Sequence, residues 1–213
     1  MIRFVIVCMI AAFLTGTTLS NAAEPARAVK EVYDSVKTAV RDHNGTLAAG
    51  LLSAGTVALC ERGRILALSH GVVDLESLSQ TLVLLIFQLR YYASSQELAA
   101  MSGKDVIAWS VSKNLVRKDF ICSIALDQVQ VENGRAWANF SSYGQPVPDA
   151  FLYFQKEAQQ WRLDAAALAP SLEDFSAQLR QSLGMTKVEV ARYLMLLIYG
   201  VVVPSSIVDG PLR

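Results

Sequence analysis

Residues 120–140 read FICSIALDQVQVENGRAWANF, and the strongest local signal in the chain sits inside them, at Glu132-Asn133-Gly134-Arg135. Asn-Gly accepts the positive φ values of a type I′ turn, which closes a two-residue β-hairpin. Before it, Phe120-Ile121-Cys122-Ser123-Ile124-Ala125-Leu126 opens a strand that Val129 and Val131 continue by alternation. After it, Ala136-Trp137-Ala138-Asn139-Phe140 returns alongside. A second hairpin pairs Ala150-Phe151-Leu152-Tyr153-Phe154 with Trp161-Arg162-Leu163 through a polar turn at Lys156 to Gln160. Between the hairpins, Pro146-Val147-Pro148 marks an irregular crossing.

Upstream of this block the apolar spacing turns helical. Val29, Val32, Tyr33, Val36 and Val40 repeat at near-helical intervals from Glu24 to about Asp42, and His43-Asn44-Gly45 breaks the run. Residues 46–68, with glycines at 50, 55 and 63, read as a broken helix pair. Val72 to Tyr92 is the most hydrophobic part of the chain beyond its leader, with Leu82-Val83-Leu84-Leu85-Ile86-Phe87 uninterrupted. A helix apolar all round is buried in a core or against a partner, and this run is too short to span a bilayer. Ser94 with Glu97 and Ser102 with Asp105 have the spacing of capping boxes, and the second precedes an amphipathic helix around Trp109. Beyond Ala169-Pro170, a helix starts at Ser171-Leu172-Glu173-Asp174 and ends before Gly184. Thr186 and Glu189 box another, which runs to Tyr199 with Gly200 as its stop. The remainder, from Val201, is apolar but interrupted by Pro204, a tail that packs or frays.

The first residues carry an export signal. Arg3 precedes an apolar run from Phe4 to Leu14, and small residues follow at Ser20-Asn21-Ala22-Ala23. Residues 1–23 are read as a cleaved signal peptide, since a membrane anchor needs about 20 apolar residues. Cys8 lies within the apolar run, not at its exit. The expected location is periplasmic or secreted, with no membrane span after cleavage. The chain's 19 basic and 19 acidic residues cancel, and loss of Arg3 leaves one acid in excess. Such a balance, with Lys and Arg scattered, gives no footprint for nucleic acid. Oxidising surroundings make Cys60 and Cys122 candidates for one disulfide. Both also sit among apolar neighbours that suit buried free thiols, so the two alternatives stand side by side. Neither these cysteines nor His43 and His70 have metal-ligand spacing, and no metal or cofactor is expected. No Gly-x-Ser-x-Gly, phosphate loop, His-Glu-x-x-His or dinucleotide fingerprint is present.

The expected architecture is α+β: N-terminal helices packed on a curled antiparallel sheet, then C-terminal helices. Its segments are helices over 24–102, the curled-sheet part over 103–169, helices over 170–200 and a tail over 201–213. Within 103–164 the pattern narrows. The helix Gly103-Lys104-Asp105-Val106-Ile107-Ala108-Trp109 leads into hairpins, and a Phe-Leu-Tyr-Phe strand pairs with Gln160-Trp161-Arg162-Leu163-Asp164. This resembles the NTF2-like (SnoaL-like) superfamily, in which a terminal strand reading Trp-Arg-Leu after a polar turn is frequent. The resemblance implies a cone-like sheet around helices with a pocket between them. Some members are isomerases, cyclases or dehydratases with an Asp or His in the pocket, whereas many only bind ligands or proteins.

Candidate site residues follow from position. Asp149 and Asp164 lie near strand ends, and an Asp held in an apolar cone has its pKa raised and can serve as a general base. Tyr143 could donate to a developing oxyanion. The alternative for these residues is capping of strand ends. Trp109, Tyr143 and Tyr153 are the ligand-pocket candidates, although tryptophans are most economically core aromatics. Leu82, Leu85, Ile86 and Phe87 are the candidate partner-binding face. Together these point to an exported, non-catalytic accessory or binding protein, acting on a protein partner or as a homodimer. The alternatives are a carrier of a small apolar ligand or lipid, or a pocket enzyme of isomerase or dehydratase type.

Overall fold

The computed structural model of the chain describes residues 24–69 and 73–211. The leader reading of residues 1–23 and the position of His70 lie outside the described residues. The architecture is α+β, with helices on both sides, in sequence, of a curled antiparallel half-barrel sheet. Its strands are β1 Ile124–Glu132, β2 Arg135–Ser142, β3 Gln145–Glu157 and β4 Gln160–Leu163, hydrogen-bonded in that order. Asn133 (φ 48°) and Gly134 (φ 75°) form the expected positive-φ turn between β1 and β2. Tyr143 (φ 50°) and Gly144 (φ 75°) repeat it between β2 and β3. Register shifts between Leu126 and Val129, and between Asn139 and Ser141, bend the sheet.

Two parts of the strand block differ from the sequence expectation. Lys118–Ser123 is a helical turn, so β1 starts at Ile124 and not at Phe120. Asp119 stands in its first turn, and the Ser123 hydroxyl donates back to the Phe120 carbonyl at 2.7 Å. Pro146 and Pro148 lie inside β3 and mark no crossing. Ser142 and Gln145 close a two-residue turn as a hydrogen-bonded pair, so Ser141 and Pro146 form the next, non-bonded pair. The proline nitrogen therefore faces the outer edge, which β4 leaves open because it pairs only with residues 154–157 of β3.

The helices follow the reading, except that the apolar segment read from Val72 to Tyr92 is helical only from Gln80, after a 3-10 turn at Leu75–Ser77. They are α1 (residues 24–41), α2 Gly45–Gly50, α3 Ala54–Leu68, α4 Gln80–Tyr92, α5 Ser95–Ala100 and α6 Gly103–Ser112. The helical turn Lys118–Ser123 is α7, and α8 Ala169–Leu183 and α9 Lys187–Tyr199 follow the sheet. The capping boxes of Ser94, Ser102 and Thr186 are all formed. Helix α6 lies so close to α2 and α3 that glycine is required at two contacts. A Cβ on Gly45 would strike the Ala108 carbonyl, and one on Gly103 would meet the Glu61 nitrogen at 2.7 Å.

Two apolar clusters result. In the first, Val29, Tyr33, Val36 and Val40 of α1 cover one face of the sheet, made by Ala136, Ala138, Phe140, Leu152, Phe154, Trp161 and Leu163. The Tyr33 ring meets Phe154 edge-on, with centroids 6.4 Å apart. Burial of Tyr33 pushes its phenol well above the ordinary range. The second cluster is helical and centres on α4, which packs on α3, α8 and α9. This corrects the partner-binding reading of α4. Leu82, Ile86 and Phe87 are buried and Leu85 is half-buried, because neighbouring helices surround the helix within the chain. The tail packs and does not fray: Val203 and Ile207 are buried in the same cluster.

Arg90 holds that tail. Its side chain has no solvent exposure. The guanidinium donates to the carbonyls of Leu66, Ala67 and Ser69 at the end of α3, and to those of Ile207 and Val208 in the tail. The last carbonyls of a helix lack intrahelical partners and carry the negative end of its dipole, which suits a cation there. Burial pulls the guanidinium below its ordinary pKa, and Asp209 opposes that shift.

Candidate functional site

Alternation along β2 and β3 sorts their side chains by face. Ala136, Ala138, Leu152 and Phe154 point into the first cluster, so Trp137 and its cross-strand partner Tyr153 stand on the opposite, outer face. Asn139 and Phe151 extend that row, and the Phe151 and Tyr153 rings lie 6.4 Å apart. A helical turn at Ala165–Leu168 crosses beside β3. Under it lies a recess of about 410 Å³ walled by Trp137, Tyr153 and Ala167, with Arg135, Gln155 and Asp164 around it. That volume falls in the range of small-molecule pockets, ~300–1,000 Å³.

Asp164 is fixed from two directions. Its amide donates to the Tyr153 carbonyl at 2.8 Å, extending the pairing of β4 by one residue. Its Oδ1 accepts the Ser53 hydroxyl at 2.8 Å and the Thr56 hydroxyl at 3.4 Å. Ser53 is the N-cap of α3 and accepts from the Thr56 amide, while Thr56 accepts from the Ala166 amide. The carboxylate thus ties the start of α3 to the end of the sheet. Its Oδ2 accepts no hydrogen bond among the described residues. Arg135 likewise forms no ion pair among them and is exposed at the mouth of the recess.

Of the sequence candidates, Tyr153 and Asp164 are brought together here, and the others are not. Trp109 belongs to the helical cluster, where its Nε1 is buried without a hydrogen-bond partner among the described residues. Tyr143 is 66% exposed at the β2–β3 turn, and its hydroxyl donates to Asp119 at 3.4 Å. Asp149 is exposed, with φ of 55°. The base-and-donor pairing of Asp149 or Asp164 with Tyr143 is therefore not assembled in this recess. Cys60 and Cys122 are free thiols. Cys60 packs against the helical cluster, where burial pushes its thiol up to about 11. Cys122 sits exposed on α7, its thiol near the Lys37 carbonyl of α1. Membership of different parts of the fold keeps the two sulfurs unbridged.

No family model, curated protein or solved structure matches the chain.

Trp137, a tryptophan most economically read as core, and Arg135, named in the sequence only as part of the Asn-Gly turn, both line this recess. The correcting signal was the register itself, since Trp137 is out of phase with Ala136, Ala138 and Phe140. A larger, more open groove of about 580 Å³ lies between α2, α3 and the start of α6. Two of its charged groups are engaged within the fold: Glu157 accepts the Ala54 amide at 2.9 Å, and Glu61 pairs with Arg64. Exposed apolar residues gather elsewhere, at Tyr193, Leu196 and Leu197 of α9 and at Val202. Among the described residues no three His, Cys, Asp or Glu side chains are grouped to hold a metal, and no helix is long and apolar enough to cross a membrane.

Proposed function

We propose that the protein is an exported binding protein that holds a small ligand in the recess, an apolar part of it against Trp137 and Tyr153, without acting on it chemically. One observation carries this reading. Two large aromatic side chains stand on the face of the sheet turned away from the packed core, where they wall a recess of ligand size. Engagement of Asp164 Oδ1 by Ser53 and Thr56 supports a positioning role for that carboxylate over proton transfer. The export half of the reading rests on the leader of residues 1–23. A curled sheet closed on one side by a helix also accords with an elaborated NTF2-like fold, which we put forward on the pattern of residues 103–164.

The test is native mass spectrometry of the protein recovered from the compartment to which it is exported. A retained small molecule that is lost in Ala167→Trp, where the added indole fills the recess, is the expected result. Retention of the same molecule by Ala167→Trp would remove this recess from consideration. A second reading, association of two copies of the chain, is favoured by the exposed strip of Tyr193, Leu196, Leu197 and Val202 on one flank. Sedimentation of the protein against Leu197→Glu tests it. A dimer dispersed by the charge supports the reading, and a monomer in both cases ends it.

A further inference from the structure

The recess has charges at both ends, and their spacing follows from the register. Arg135 pairs across the sheet with Gln155, on the β2 side of β3. Asp164 continues β4 on the other side, its amide bonded to Tyr153. The two residues therefore flank β3 on opposite sides and are offset by two positions along it. Strands lie about 4.8 Å apart and rise about 3.4 Å per residue, which puts the two Cα atoms on the order of 12 Å apart. One end offers a guanidinium with no ion-pair partner among the described residues, the other a carboxylate with Oδ2 unengaged. Trp137 and Tyr153 supply the apolar stretch.

Opposite charges at such a spacing, joined by aromatic walls, complement a ligand with the reverse arrangement. An extended peptide advances at most ~3.3–3.6 Å per residue, so three residues cover about 10 Å. We infer that the recess takes a short zwitterionic peptide of about three residues, its terminal carboxylate on Arg135, its terminal ammonium on Asp164 Oδ2, and an apolar side chain against Trp137 and Tyr153. A guanidinium matches a carboxylate with two parallel hydrogen bonds, which makes Arg135 suited to the C-terminal end. This inference rests on the recess being the ligand site proposed above.

The experiment is calorimetric titration of the protein with the tripeptide Ala-Phe-Ala and with its N-acetylated and C-amidated forms. The free peptide is expected to bind, and each blocked terminus to weaken binding by about tenfold or more, the worth of one charge-assisted hydrogen bond. Arg135→Gln should abolish the discrimination against the amide while leaving discrimination against the acetyl group intact. Because Arg135 is exposed and unpaired, its loss leaves the fold in place, which circular dichroism verifies. Asp164→Asn, which preserves an acceptor for Ser53 and Thr56, should do the converse. Equal affinity for the free and doubly blocked peptides overturns the inference, as does discrimination unchanged in Arg135→Gln. Absence of binding by every form also overturns it. The Ala167→Trp mass-spectrometric comparison reports separately on whether the recess holds some other molecule.

Discussion

Replacing Arg90 by Met tests how the C-terminal tail is held. The guanidinium is wholly buried and donates to five main-chain carbonyls, at distances from 2.7 to 3.3 Å. A buried ion pair between side chains can sometimes be exchanged for apolar residues without loss, because both partners are removed together. Here the acceptors belong to the backbone of α3 and of the tail, so no substitution removes them. A buried acceptor left without its donor costs about 1–3 kcal/mol, and with several left at once the loss should be about 3–5 kcal/mol. Methionine occupies part of the vacated volume, but it donates nothing to the carbonyls left behind. For a protein of this size each kcal/mol moves the melting midpoint by ~2–4 °C, so Arg90→Met should melt roughly 6–20 °C lower. Arg90→Lys should fall between, since an ammonium offers three donors and lacks the planar fork. Urea unfolding followed by circular dichroism gives the free energy, and a scan gives the midpoint. Arg90→Met within about 1 kcal/mol of the unaltered protein, on the scale of an ordinary surface substitution, would refute the view that this network fastens the tail.

Three further outcomes are expected. Asp119 is held down to about 2, first by its hydrogen bond from Arg117. A lowered carboxylate contributes stability above its unfolded pKa, so the difference between the protein and Asp119→Asn should be constant near neutrality and vanish as pH falls from about 4 to 2. Thiol titration of the native protein at pH 8 should modify exposed Cys122 quickly and Cys60 slowly, because burial raises Cys60 to about 11; a non-reducing peptide map showing a Cys60–Cys122 bridge would contradict this. Gly103→Ala should lower the unfolding free energy by about 1–2 kcal/mol, since overpacking exceeds the helix-propensity gain. The two nearest atoms in its way are main-chain atoms of α3, which cannot move aside, and a gain in midpoint would show that they do.

Local chemistry carried most of the fold into the sequence. Asn133-Gly134, the three capping boxes, and Gly184 and Gly200 at helix ends each act within a few residues, so their outcome does not depend on distant contacts. The misreadings share the opposite property. Phe120 to Ser123 has strand-like composition, and a short helix wins there through Asp119 and the Ser123 hydroxyl. Pro146 and Pro148 look like strand breakers until the short reach of β4 shows that their edge is open. The apolar run of Leu82 to Phe87 has one composition whether it meets a partner or its own chain, and only α3, α8 and α9 settle which. The candidate site was legible at Tyr153 and Asp164, both near the end of the final hairpin. Trp137 escaped because its face depends on the phase of a register that composition alone does not set. Arg135 escaped because turn charges are ordinarily solvated.

The cover of the sheet by α1 has a consequence for how the protein is made. Helix α1 ends at residue 41, yet the surface it covers is complete only when Leu163 is in place. At synthesis rates of ~5–20 residues per second, some 120 intervening residues keep α1 waiting roughly 6–24 s. During that interval Val29, Tyr33 and Val36 lack the sheet face that completes their cluster. The same separation in sequence that slows closure of this cluster leaves the first helix without its sheet while the chain grows. Formation of the first cluster is thereby deferred until most of the chain has arrived.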